Sequence, residues 1–184
     1  MPERARIAVI GTGWWATYTH IPGLLEYPAA ELVAIADRDP ERLRIAATTY
    51  GIARAYEDYR AMLAQETLDG VIVATPHATH YAIARDCLAR GIHVMVEKPL
   101  TLHATEAREL VQLARARGRA LLVGYPYNLK PQALRARGAE GGTARRGAIR
   151  QWHDEFADHR VAARRSRSRP RDRYAARARA WCGL

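Results

Sequence analysis

Arg6-Ile7-Ala8-Val9-Ile10-Gly11-Thr12-Gly13-Trp14-Trp15-Ala16 decides the reading of this chain. A short apolar strand runs straight into G-x-G-x-x-A. Asp37 closes a second apolar run 21 residues past Ala16. Strand, glycine turn, helix, strand and acid in that order form the fingerprint of a dinucleotide-binding βαβ unit. Each part has a physical task. Gly11 turns the chain off the strand. Gly13 has no Cβ, so a pyrophosphate can approach the backbone, and Thr12 lies between them. Ala16 is small enough for helix and strand to pack closely. The helix opening at Gly13 aims free N–H groups and the positive end of its dipole at the phosphates. Asp37 can accept hydrogen bonds from the hydroxyls of an adenosine ribose. The alternative for such a motif is a purely structural glycine turn.

Outward from that unit, apolar runs alternate with helical patterns. Strands are predicted at 5–10, 31–36, 53–55, 70–74, 93–97 and 120–124. Helices are predicted at 14–26, 40–50, 57–65, 78–90, 101–117 and 130–137. The strands are short, continuous and rich in Val and Ile, which suits a parallel sheet covered on both faces. Gly91 and Gly118 follow basic helix ends as C′ residues, and Thr101 is the expected cap of the fifth helix. The fold class is therefore α/β, a doubly wound Rossmann sheet of expected order 3-2-1-4-5-6.

Length and charge bound the rest. The chain has 184 residues, room for one well-cored domain and part of another. It holds no run of 18 apolar residues, so no membrane partner is expected. Cys87 and Cys182 are far apart, Cys87 reads as a small buried residue, and the cytoplasm is the expected compartment. Residues 1–131 carry a net charge of +1 and residues 132–184 a net of +9, out of a total of +10. The domain reading is 1–131 for the nucleotide-binding unit and 132–184 for a basic tail. Within 160–180 there is no Ile, Leu, Met or Phe, so an irregular or disordered tail is expected. That tail offers no organised aromatic platform, and no nucleic-acid partner is expected.

Several spaced phrases carry a more specific resemblance: Gly11-Thr12-Gly13, Ala36-Asp37-Arg38-Asp39-Pro40, Ala74-Thr75-Pro76-His77-Ala78-Thr79-His80, Gly91-Ile92-His93-Val94-Met95-Val96-Glu97-Lys98-Pro99 and Gly124-Tyr125. Together they resemble the N-terminal domain of the glucose–fructose oxidoreductase/inositol dehydrogenase (Gfo/Idh/MocA) family over residues 6–131. The resemblance implies an oxidoreductase with NAD, or alternatively NADP, acting on a secondary alcohol of a sugar, polyol or related small molecule. Lys98, in Glu-Lys-Pro, is implied as the catalytic lysine. The alternative for it is a solvated loop lysine paired with Glu97. Thr75 and Pro76 are implied at the turn that holds the cofactor's ribose and phosphates. Gly11, Thr12, Gly13, Trp14, Asp37, Arg38, Thr75, Pro76, His80 and Glu97 make up the expected cofactor site. Arg38 can stack on adenine or reach a 2′-phosphate, while Asp37 favours NAD. Trp14 or Trp15 can rim the cleft or simply pack. His77 and His80 stand three apart, but without a third ligand no metal site is expected.

The resemblance also implies an α+β substrate domain carrying a D-x-x-x-H word, and this chain has no such word in that setting. Codons can be chosen for Ala144–Arg150 whose shifted frame reads Leu-Gly-Glu-Val-Arg-Ser, a phrase typical of the family. A frame slip near residues 137–140, a natural truncation and a functional basic tail are the readings of the last segment. Little or no activity is expected from the chain by itself, with its oligomerisation surface lost alongside the substrate domain. The competing function is a nucleotide-binding module without dehydrogenase activity.

Overall fold

A computed structural model of the chain describes residues 4–126. The chain divides between Tyr125 and Pro126. The segments expected at 130–137 and in the basic tail lie outside the described residues.

Six parallel strands build one sheet: β1 (Ala5–Ile10), β2 (Ala30–Ala36), β3 (Ala55–Tyr56), β4 (Gly70–Val73), β5 (His93–Glu97) and β6 (Leu121–Gly124). Their order is β3-β2-β1-β4-β5-β6, as the alternation predicts. The order reverses beside β1, so the crevice beyond the C-terminal ends of β1 and β4 is where ligands bind in such sheets. Five α-helices connect the strands: α1 (Ile21–Glu26), α2 (Pro40–Tyr50), α3 (Tyr59–Gln65), α4 (His80–Ala89) and α5 (Ala104–Arg117).

Strand alternation sorts the core into two layers. Val9 and Ile35 face Ile21 of α1 and Leu43 and Ala46 of α2. Ala8, Ile10, Val71, Val73, Val94 and Val96 face Met62 of α3, Ile83, Cys87 and Leu88 of α4 and Leu110 of α5. Apolar side chains thus cover both faces, which is why the strands read as continuous Val/Ile runs. Burial pushes the Cys87 thiol up to about 12, in keeping with an inert packing residue.

Local signals explain most helix ends. The Asp39 side chain accepts from the N–H groups of Glu41 and Arg42, and Pro40 opens α2. Gly91 and Gly118 take left-handed φ values of 75° and 60° after α4 and α5. The expected cap of α5 needs correction. The Thr101 hydroxyl donates to the His103 carbonyl, and His103 is the N-cap, with no side-chain cap bond. Thr101 sits two residues too early because Ser-Asx-like capping requires the side chain directly ahead of the first turn.

The first helix departs from regular α winding. It opens at Trp14, runs as a π-helical turn over Ala16–His20 and continues as α1. The Ile21 N–H reaches back to the Ala16 carbonyl, five residues earlier. The Tyr50 hydroxyl of α2 donates to the Thr17 carbonyl at 2.6 Å.

Candidate cofactor site and lysine turn

The glycine turn after β1 is set by a close backbone approach. Gly11 has φ +95°, and a Cβ there would lie 2.5 Å from the Ala74 carbonyl oxygen at the end of β4. Only glycine lets β1 and β4 leave the sheet side by side at the switch point. Gly13 is the opposite case: a Cβ there would meet nothing within 4 Å. The open space over Gly13 is what a pyrophosphate needs, so this backbone fits a dinucleotide.

Asp37 follows β2 and faces that turn. Its Oδ2 accepts from the Thr12 N–H at 2.7 Å and the Thr12 hydroxyl at 3.0 Å, and its Oδ1 accepts from the Asp39 N–H at 3.0 Å. A carboxylate has about four acceptor positions, so about one, on Oδ1, is left for an incoming hydroxyl. Thr12 is fully buried by this arrangement. Asp37 therefore shapes the glycine loop as well as offering a charge. Arg38 beside it is exposed.

Glu97 ends β5 and is only 8% exposed. Its Oε1 accepts from the Trp15 indole at 2.7 Å and lies 2.8 Å from His20 Nε2. Its Oε2 accepts from the Lys98 N–H at 3.2 Å. A Cβ on Gly124 of β6 would stand 2.8 Å from Oε1, so glycine makes room for this carboxylate. Burial holds His20 below its ordinary pKa, against the opposing pull of its bond to Glu97. The ring is then a neutral donor through Nε2. Glu97 was expected in the cofactor site; its carboxylate is engaged by Trp15, His20 and the Lys98 N–H. The Trp15–Glu97–His20 group has no sequence signature, because residues 15, 20 and 97 follow no motif spacing.

Lys98 is exposed, and its ammonium makes no ion pair or hydrogen bond among the described residues. The pairing with Glu97 that would have made it a solvated loop lysine is absent there. Lys98 precedes a cis peptide bond to Pro99. Lys98 follows the last residue of β5, and the Trp15–Glu97 bond ties that strand end to the residues just past Gly13.

Thr75 is half-buried and Pro76 exposed in the turn after β4. The Thr79 hydroxyl bonds to Thr75 Oγ1 at 2.8 Å and to the Pro76 carbonyl at 2.7 Å. His80 was expected near the cofactor. It is fully buried, with Nδ1 2.7 Å from the Pro99 carbonyl and Nε2 2.8 Å from the Thr75 carbonyl. Both ring nitrogens face main-chain carbonyls of the Thr75 and Pro99 turns. Trp14 is 55% exposed and stacks on Tyr18, with ring centroids 5.3 Å apart.

Among the described residues no helix is long and apolar enough to cross a membrane. The chain is 38% identical over 122 residues to a dTDP-3,4-didehydro-2,6-dideoxy-α-D-glucose 3-reductase of Streptomyces violaceoruber, covering 66% of this chain and 35% of that one. It is 34% identical over 147 residues to the D-apiose dehydrogenase of Paraburkholderia graminis, covering 80% and 38%. A solved structure of the WlbA dehydrogenase from Chromobacterium violaceum, in complex with NADH and UDP-GlcNAcA, matches with a TM-score of 0.63 at 32% identity. That match covers 67% of this chain and 35% of that one. The chain spans 33% to 44% of the length of the curated relatives it matches. Residues 5–125 match the model of the oxidoreductase family with an NAD-binding Rossmann fold, and the chain belongs to that family, Gfo/Idh/MocA.

Proposed function

We propose that residues 4–126 are the cofactor-holding part of an NAD-dependent oxidoreductase for a secondary alcohol of a sugar, polyol or related small molecule. The observation that carries this reading is one shared sheet edge. The open face of Gly13, the remaining acceptor position of Asp37 and Lys98, whose amine is unpaired among the described residues, follow the C-terminal ends of β1, β2 and β5. The nicotinamide of a bound dinucleotide supplies the hydride acceptor. Gly11, Thr12 and Gly13 cradle its phosphates, Asp37 takes a ribose hydroxyl, and Thr75 and Pro76 border its second ribose. Asp37 repels a 2′-phosphate, which favours NAD; Arg38 next to it keeps NADP as the alternative.

Lys98 orients the substrate oxygen and passes its proton. The described residues form one wall of such a site. Holding a substrate against the cofactor is worth about 7–11 kcal/mol of barrier. Much of that has to come from residues outside 4–126, and low turnover by the 184-residue chain is part of the proposal. Calorimetric titration with NAD(H), followed by NADH formation assays on sugars and polyols, tests both parts. NAD(H) binding without turnover is expected. Absence of binding overturns the cofactor reading, and appreciable alcohol-dependent NADH production overturns the expectation of low activity.

A further inference from the structure

His80 joins two turns that the sheet leaves apart. β4 and β5 are neighbours, and their pairing ends with Val73 opposite Val96. Beyond that point the chain enters the Thr75-Pro76 turn on one side and the Lys98-Pro99 turn on the other. Among the described residues no main-chain hydrogen bond outside the strands joins 74–77 to 98–101. The His80 ring does so instead, with Nε2 2.8 Å from the Thr75 carbonyl and Nδ1 2.7 Å from the Pro99 carbonyl. It is fully buried, while Lys98 next to Pro99 is exposed. Both partners are carbonyl oxygens and accept, so the planar ring bonds both when each of its nitrogens carries a proton; an amide side chain placed there has one nitrogen and donates to one of them.

We infer that His80 is a positioning residue for Lys98: it ties the turn beside the cofactor to the turn that carries the lysine, and so fixes the lysine's offset from the bound dinucleotide. This rests on the function proposed above. The Glu97 carboxylate holds the turn from the other side, through its bond from the Lys98 N–H. The lysine backbone is thereby pinned on both flanks, while its amine has no partner among the described residues.

Hydrogen exchange of the 184-residue chain, read by mass spectrometry with fragmentation, tests the tie in wild type, His80→Asn and His80→Gln. Asparagine places its amide nitrogen where Nδ1 stands and retains the Pro99 bond. Glutamine places it where Nε2 stands and retains the Thr75 bond. In His80→Gln the amides of 98–101 should exchange on the order of tenfold faster, with 74–77 near wild type. In His80→Asn the pattern should reverse. Protection by NADH should spread from 74–77 to 98–101 in wild type and stay confined to 74–77 in both variants.

Unchanged exchange at 98–101 in His80→Gln overturns the proposal. So does uniform acceleration that includes β1 and β2, which makes His80 a packing residue only. If thermal melts show neither variant folded, the wild-type measurement decides: NADH protection at 74–77 that fails to reach 98–101 overturns the tie. If wild type binds no NADH, the functional reading fails, and the exchange of the cofactor-free variants still decides the role of His80.

Discussion

The indole N–H of Trp15 donates to Glu97 Oε1 at 2.7 Å, joining residues 82 apart in sequence. The bond links the helix that follows the glycine loop to the strand that carries the lysine turn. Glu97→Ala leaves Trp15 without an acceptor and deletes the partner of His20. About 2–3 kcal/mol of stability should be lost in urea unfolding, with a red shift of tryptophan emission. Glu97→Gln keeps an acceptor oxygen and should lose less. Equal stability of the alanine variant and wild type would show the network to be energetically idle.

The two glycines of the loop should separate folding from binding. Gly11→Ala forces a methyl group to within 2.5 Å of the Ala74 carbonyl at a φ of +95°. Its melting temperature should drop sharply, because the end of β4 has to move. Gly13→Ala meets nothing within 4 Å, so its fold should survive nearly intact while NAD(H) binding weakens. Calorimetry and thermal melts on the pair give the answer. A Gly13→Ala variant that binds as wild type would show that the pyrophosphate lies elsewhere.

Asp37→Ala should weaken NAD binding by about 1.5–3 kcal/mol through loss of a charged acceptor. Part of that loss comes from the loop itself, since the Thr12 N–H and hydroxyl both bond to Asp37. Binding entropy should accordingly become less favourable as the loop is ordered by the ligand. A calorimetric titration with no change in affinity, or with a clear preference for NADP in wild type, would remove Asp37 from the cofactor site.

His20 gives a pH dependence with a definite sign. Burial lowers its pKa in the folded state below the ordinary 6.5. Above the ordinary value both states hold the ring neutral and its contribution is complete. As pH falls below it, the unfolded chain takes up a proton that the buried ring resists, so stability declines until the folded pKa is passed. Urea midpoints between pH 7 and pH 5 should fall for wild type. They should fall less for His20→Gln, whose amide nitrogen still reaches Glu97. Parallel slopes would place the titration elsewhere.

Most of the fold was legible because its signals are local. The Val/Ile runs, the Asp39-Pro40 helix start and the left-handed Gly91 and Gly118 are set by neighbours in sequence. The sheet order followed from the α/β alternation. The cap of α5 was misplaced by two residues, because Thr101 satisfies the His103 carbonyl instead of helix N–H groups. The cofactor loop was read from its motif, but the bond between Thr12 and Asp37 spans 25 residues and could not be. Glu97 and His80 stood inside family phrases, and the resemblance implied a place in the cofactor site. Burial turned both inward, where they hold the turns around Lys98, and burial is a property of the packed chain.

The π-helical turn over Ala16–His20 has a consequence for angular phase. At about 100° per residue, side chains five apart on a regular α-helix point roughly 140° away from each other. Trp15 and His20 are five apart, yet both reach the same oxygen of Glu97. The wider turn, closing on the fifth residue, removes the divergence. In a regular helix, four residues of spacing bring two side chains to within about 40° of each other. The π turn therefore behaves as one residue inserted into an otherwise α-helical segment, and deleting a single residue from 17–19 is the change that could restore even winding with both donors still aimed at Glu97.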